Sequence, residues 1–324
     1  MNESVLNISD LKVHFPLKKA WPWQDTRYVK AVDGVSFEVK KGETLGIVGE
    51  SGCGKSTLVR AIVGLVKSTE GKVVWAGQDL AALKHRKQWQ PVRKEIQMVF
   101  QDPFASLNPR ITIGNIIAEP LRVHEPKLSK QERRKRVEEM MRLVGLSPMH
   151  INRYPHQFSG GQCQRVGIAR ALILKPSILV CDEPVSALDV SIQAQVVNLL
   201  KELQQELKLT ILFIAHNVSV IKHISDRVMV MYLGNIMEVG EAKSLCDHPM
   251  HPYTKALLSA VPLPDPELER HKKIQIIEGD LPSPVNPPSG CVFRTRCPLA
   301  DDACAQIKPV LQDHHGRKVA CIKV

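Results

Sequence analysis

Gly49-Glu50-Ser51-Gly52-Cys53-Gly54-Lys55-Ser56-Thr57 is the stretch that decides the fold. It follows the apolar run 45–48 and opens a segment of helical pattern, so it reads as strand, glycine-rich turn and helix. That context and the spacing G-x-x-x-x-G-K-[ST] are what a loop that wraps phosphates requires. Three glycines let the backbone approach an anion. The amides of residues 52–56 gather at a helix N-terminus, where the dipole favours negative charge. Lys55 sets a cation against β- and γ-phosphates, and Ser56 offers a hydroxyl to Mg²⁺. Cys53 reads as a small space-filling residue inside the loop.

Working outward, residues 44–48, 96–100, 178–181, 211–214 and 228–232 read as short buried strands. Residues 55–66, 130–144, 162–174 and 192–207 read as helices between them. This alternation predicts an α/β fold with a largely parallel sheet. Residues 5–15 and 31–39 read as strands of an antiparallel β-subdomain, joined by a loop that carries Trp21-Pro22-Trp23. Residues 105–160 hold no strand pattern and read as an inserted helical subdomain, about 105–165. In it Ser129 and Glu132 form a capping-box pattern.

The run 178–183, Ile-Leu-Val-Cys-Asp-Glu, is a strand that ends in two acids. A phosphate loop needs such an acid for its metal, which assigns Asp182 to Mg²⁺ and leaves Glu183 to face the attacking water. Phe158-Ser159-Gly160-Gly161-Gln162 is a second capped, glycine-opened helix start. One domain has little use for two γ-phosphate sites, so this one is expected to act on the nucleotide of a partner subunit.

With these pieces in order, the chain resembles the ABC transporter ATPases. The resemblance rests on the phosphate loop, Gln101, the 158–162 signature, Asp182-Glu183, Ser186-Ala187-Leu188-Asp189 and His216. It implies that Gln101 is the glutamine that senses Mg²⁺ and contacts membrane subunits. It implies also that His216 sits at the γ-phosphate and Asp189 at the dimer seam. Two residues depart from the usual pattern. Phe158 stands where Leu is usual, an apolar exchange expected to be harmless. Asn217 stands where Asp commonly follows the histidine, which puts one local hydrogen bond in doubt. The adenine needs an aromatic platform, for which Phe15 and Tyr28 both qualify, Phe15 being preferred.

The chain has 324 residues with a net charge of +11. No apolar stretch long enough to span a bilayer is present. The N-terminus lacks both the basic and the apolar part of an export signal, so the chain is expected to stay in the cytoplasm. The densest basic run, Arg133-Arg134-Lys135-Arg136, lies beside Glu132, Glu138 and Glu139 and reads as a solvated helix face rather than a nucleic-acid patch.

Composition shifts after about residue 245: 11 of the 22 prolines fall in residues 249–309. Residues 1–245 are therefore expected to form the nucleotide-binding domain and 246–324 an extension too poor in apolar residues to fold without a staple. Cys291, Cys297, Cys304 and Cys321 crowd into this tail. Their spacing, C-x5-C-x6-C-x16-C, lacks the C-x2-C pairs of common zinc folds. Four thiolates can hold an iron–sulfur cluster or zinc, and free thiols remain an alternative.

The tail stretches 251–258, 279–284 and 290–298 resemble the C-terminal region of oligopeptide and dipeptide importer ATPases, most of all the F-type subunit of oligopeptide permeases. That resemblance implies a [4Fe–4S] cluster, with zinc as the alternative, and ATP with Mg²⁺ as ligands. It implies as partners a paralogous D-type ATPase, two transmembrane permeases and an extracytoplasmic peptide-binding protein, with no nucleic acid. The chain is then expected at the cytoplasmic face of the bacterial inner membrane. Dipeptides, murein peptides, glutathione or nickel are alternative cargoes. A soluble ABC-type ATPase acting on nucleic acid would be expected to carry two nucleotide domains or a long coiled coil. A nucleotide kinase would leave the signature and Asp189 unexplained.

Overall fold

The computed structural model describes residues 3–19, 21, 23, 25–262, 266–272, 275 and 277–324. Met1 and Asn2 of the N-terminal reading, and Pro22 of the tryptophan loop, lie outside the described residues. The chain divides into two compact units, one of residues 1–40, 45–82 and 216–324, the other of residues 41–44 and 83–215.

In the first unit, Ser4–Pro16 and Tyr28–Lys40 pair antiparallel, and Glu70–Trp75 pairs antiparallel on the other side of Ser4–Pro16. This is the antiparallel β-subdomain the sequence predicts. The strand Thr44–Val48 runs parallel to Arg227–Tyr232, in register Leu45↔Arg227 to Val48↔Val230. Asn235–Glu241 then turns back antiparallel on Arg227–Tyr232. Thr44–Val48 is buried at all five positions and Arg227–Tyr232 at five of six. Their unbroken apolar content reflects a sheet covered on both faces.

The second unit holds Ile96–Val99, Ile178–Asp182 and Thr210–Ile214, paired parallel in that order. Between Val99 and Ile178 the ordered elements are helices. Lys130–Leu143 starts where its sequence says: the Glu132 N–H donates to Ser129 Oγ at 3.2 Å, and the Ser129 N–H donates to Glu132 Oε2 at 3.1 Å. Its buried face is Val137, Met140 and Met141, and its basic face is solvated. Arg134 pairs with Glu138 one turn on at 2.8 Å, and Arg136 with Glu125 at 2.7 Å, as a solvated helix face requires.

The tail belongs to the first unit and is held by packing. Tyr253 and Phe293 are 0% and 1% exposed and close a three-ring cluster with Tyr232, centroids 4.8–5.3 Å apart. Arg317–Val319 adds an antiparallel strand to Asn235–Glu241, with Glu238 opposite Val319.

The expected metal staple is corrected here. Cys291, Cys297, Cys304 and Cys321 are free thiols lining one small recess with Phe293, Leu299 and Ile322. Among the described residues no group of three or more His, Cys, Asp or Glu side chains is gathered to hold a metal ion. Burial pushes the Cys291 and Cys297 thiols up. Rings and strand pairing therefore take the place assigned to an iron–sulfur or zinc site. No helix among the described residues is long and apolar enough to cross a membrane.

Candidate nucleotide site

In the first unit the helix Lys55–Ile62 begins at Gly54, whose φ of 104° is left-handed and whose N-terminal amides receive no side-chain cap. A Cβ on Gly54 would lie 2.1 Å from the Ala31 carbonyl oxygen, so the turn tolerates only glycine. Below it, the Gly234 N–H donates to the Cys53 carbonyl at 2.9 Å and fixes the loop on the sheet. The first helical turn carries no acid. Uncapped amides, a positive helix end and a buried lysine make a cradle that fits a polyphosphate.

The Lys55 ammonium folds back, donating to the Gly49 carbonyl at 2.8 Å and the Glu50 carbonyl at 3.0 Å. Cys53 is 1% exposed. Burial pushes its thiol up, and neighbouring Lys55 opposes that only in part. Ser56 and Thr57 are half-buried, while Ser51 and Gly52 face outward.

Glu50 is tied to the tail in two ways that no local pattern announces. Its N–H donates to Tyr253 Oη at 2.9 Å, and its carboxylate takes Arg296 Nη1 at 2.9 and 3.2 Å. A basic residue inside the 290–298 stretch was the available signal, but nothing in the sequence names its partner.

Phe15 and Tyr28 are 40% and 43% exposed and lie at the same end of their hairpin, where Phe15 faces Val29 and Pro16 faces Tyr28. Both stay open as the adenine platform. Trp21 and Trp23 stack at 5.5 Å and are 62% and 80% exposed. His216 is exposed, next to Asn217, whose Oδ1 accepts the Ser219 N–H at 2.9 Å. The asparagine at this position thus caps the helix Val218–Ile224.

In the second unit, Asp182 ends the strand Ile178–Asp182 and is fully buried. Glu183 follows in a left-handed conformation with φ 49°, and its N–H donates to the Ile214 carbonyl at 3.1 Å. Few non-glycine residues adopt that region. Gln101 Nε2 donates to Glu183 Oε2 at 2.8 Å. The structure thus joins two residues that the sequence separates widely.

The signature starts the helix Gly160–Leu172. The Gln162 N–H donates to Ser159 Oγ at 3.3 Å, and the Ser159 N–H donates to Gln162 Oε1 at 3.0 Å. Its glycines are roofed by the segment around Asp189. A Cβ on Gly160 would meet Leu188 at 3.3 Å, and one on Gly161 would meet Ile192 at 2.4 Å. Asp189 itself is exposed at the start of Val190–Leu207. Phe158 is buried, edge-on to His150, in keeping with a harmless apolar exchange.

Residues 32–186 match the model of the ABC transporter family, and residues 237–304 match the oligopeptide/dipeptide transporter C-terminal region. The oligopeptide transport ATP-binding protein OppF of Salmonella typhimurium is 65% identical over 322 residues, covering 99% of this chain and 96% of the relative. This chain belongs to the ABC transporter ATPase family.

Further family relatives include OppF of Escherichia coli, 63% identical over 99% of this chain and 96% of the relative. The dipeptide transport ATP-binding protein DppF of Escherichia coli is 50% identical over 100% and 96%. Among solved structures, the dimeric ATP-binding cassette MJ0796 bound to ADP and Pi is similar with a TM-score of 0.64 at 30% identity. It covers 73% of this chain and 98% of that one. The family's ATP-binding cassette brings ATP and Mg²⁺ as ligands and ATP hydrolysis as the activity.

Proposed function

We propose that this chain is the ATP-hydrolysing subunit that powers import of oligopeptides through an ABC transporter. It works as a peripheral subunit at the cytoplasmic face of a bacterial inner membrane. The observation that supports this most directly is the 65% identity to an oligopeptide transport ATP-binding protein. That alignment spans the tail as well as the cassette, and the cassette alone is common to many cargoes.

The roles of the phosphate loop, Asp182 and Glu183 are read from their chemistry, and those of Gln101, His216 and Asp189 rest on the resemblance to the family. The backbone of residues 49–57 and the Lys55 ammonium bind the phosphates, and Ser56, Gln101 and Asp182 hold Mg²⁺. The metal, when bound, offsets phosphate charge. Glu183 accepts a proton from the attacking water, and His216 steadies the γ-phosphate. The adenine stacks on Phe15 or Tyr28. Ser159, Gly160, Gly161 and Gln162 act on the ATP of a partner ATPase, with Asp189 at the seam between the two. The partner is a paralogous D-type subunit, and the pair drives two permeases supplied by a peptide-binding protein.

Affinity capture of the full-length chain from its host membranes, with mass spectrometry of what it retains, tests the assignment. A second ATPase and two permeases are expected. A tight association with ribosomes or RNA in place of permeases would sink it. Peptide-stimulated ATP turnover by the captured complex, compared between dipeptides and longer peptides, then tests the cargo.

A further inference from the structure

We propose that Arg296 and Tyr253 of the C-terminal segment are positioning residues for ATP, acting through Glu50 on the phosphate loop. The proposal rests on the reading of residues 49–57 as the ATP cradle.

Glu50 is held by every polar group it has. Its N–H donates to Tyr253 Oη at 2.9 Å, and its carboxylate takes Arg296 Nη1 at 2.9 and 3.2 Å. Its carbonyl accepts Lys55 Nζ at 3.0 Å and the Cys53 N–H at 3.2 Å. Two of these partners belong to the loop and two to the tail. When Lys55 swings to a phosphate, its bond to the Glu50 carbonyl breaks. The tail bonds do not involve the lysine, so they remain to hold the loop's shape.

The tail side of this contact is well packed. Arg296 is 10% exposed and Glu50 26% exposed as side chains. Shielding from solvent strengthens such a charge-assisted bond relative to an exposed pair. Arg296 Nη1 also donates to Tyr232 Oη at 3.3 Å, and its guanidinium carbon lies 5.9 Å from the Tyr232 ring centre. Tyr253 packs against Tyr232 and Phe293 in the buried ring cluster. A glycine-rich loop loses much backbone freedom when it closes on phosphates. Anchoring it beforehand lowers that cost at the moment of binding. The tail thereby joins the ATP site, to which the cassette supplies the phosphate loop.

Titration of the full-length chain with a fluorescent N-methylanthraniloyl ATP, paired with steady-state turnover, tests this. Arg296→Gln and Tyr253→Phe are each expected to weaken binding about five- to tenfold. Turnover at saturating ATP should return to within about twofold of the parent, because the loss lies in binding. Glu50→Gln combined with Arg296→Gln should be no weaker than the worse single variant, since both remove the same bond. Arg296→Lys should recover most of the affinity. Binding within about twofold of the parent in both single variants overturns the proposal, as does a loss that persists at saturating ATP. Tyr253→Phe keeps the ring cluster, so it decides the matter where Arg296→Gln fails to fold. Lys55→Ala separates the two readings: if it binds the nucleotide as well as the parent does, the cradle assignment itself is wrong and the proposal falls with it.

Discussion

Gln101 and Glu183, 82 residues apart, are joined by a 2.8 Å hydrogen bond in which the glutamine amide donates to the glutamate carboxylate. One carboxylate oxygen of the residue assigned as proton acceptor is thus engaged by the residue assigned as metal sensor. The pair forms on the loops that follow two neighbouring parallel strands, Ile96–Val99 and Ile178–Asp182. It gives a direct physical route from what Gln101 touches to how Glu183 is aimed.

Glu183→Gln keeps the size of the side chain and the left-handed turn but removes the base. Turnover should fall by at least about 100-fold, while nucleotide binding stays within about twofold of the parent. Phosphate release and fluorescent-nucleotide titration measure the two halves. Near-normal hydrolysis by this variant would refute the role given to Glu183.

Gln101→Glu sets a second carboxylate in hydrogen-bonding reach of the first. Like charges so close raise the pKa of one member of the pair. A base must be deprotonated to work, so the acidic limb of the turnover–pH profile should move to higher pH. Gln101→Ala removes a hydrogen bond to the charged carboxylate without adding charge, so it should move that limb in the same direction but less far. An unmoved limb in Gln101→Glu would show that the two side chains do not communicate.

Gly54→Ala forces a Cβ to 2.1 Å from the Ala31 carbonyl at a φ of 104°. The turn must shift or the chain must unfold, at a cost of about 2–4 kcal/mol. Gly167→Ala is the contrast. It lies inside the helix Gly160–Leu172, where an added Cβ meets nothing within 4 Å. It should stabilise by about 0.5–1 kcal/mol through helix propensity alone. Denaturant midpoints of the two variants should move in opposite directions.

His251 is buried and its Nδ1 accepts the Tyr253 N–H at 3.0 Å, capping the helix Pro252–Ser259. Burial is the main cause that lowers its pKa to about 4, with nearby Lys255 adding to it. The unfolded chain binds the proton more readily, near pH 6.5. The stabilisation from this group is therefore complete above about pH 6.5 and is lost as pH falls toward about 4, on the order of 3 kcal/mol in all. Melting temperature followed across that window should drop in the parent and flatten in His251→Asn, which keeps a capping oxygen but does not titrate.

The sequence made the pieces with local grammar legible. The strand Thr44–Val48 begins and ends with its apolar run, and Ser129 caps Lys130–Leu143 as its pairing with Glu132 requires. Boundaries set by competing signals were less legible. The helix read as 55–66 ends at Ile62, because Gly64 takes a φ of 71° and Leu65 N–H turns back to the Arg60 carbonyl at 2.8 Å. That glycine was visible, but the apolar residues beyond it outweighed it. The bond between Arg296 and Glu50 spans 246 positions, and no periodicity encodes a pairing at that range. The four tail cysteines were misread for a related reason. Spacing reports which residues can meet, whereas whether their side chains gather as ligands is decided by packing that only the folded chain supplies.

In the resting loop the Lys55 ammonium already satisfies two neutral carbonyl oxygens, those of Gly49 and Glu50. A newcomer must attract it more strongly than both. A triphosphate does so through its concentrated negative charge. Adenosine has none to offer, and a monophosphate carries less. The arrangement therefore sets an entry threshold: molecules sharing the same base are sorted by the charge they carry, before any step of turnover begins.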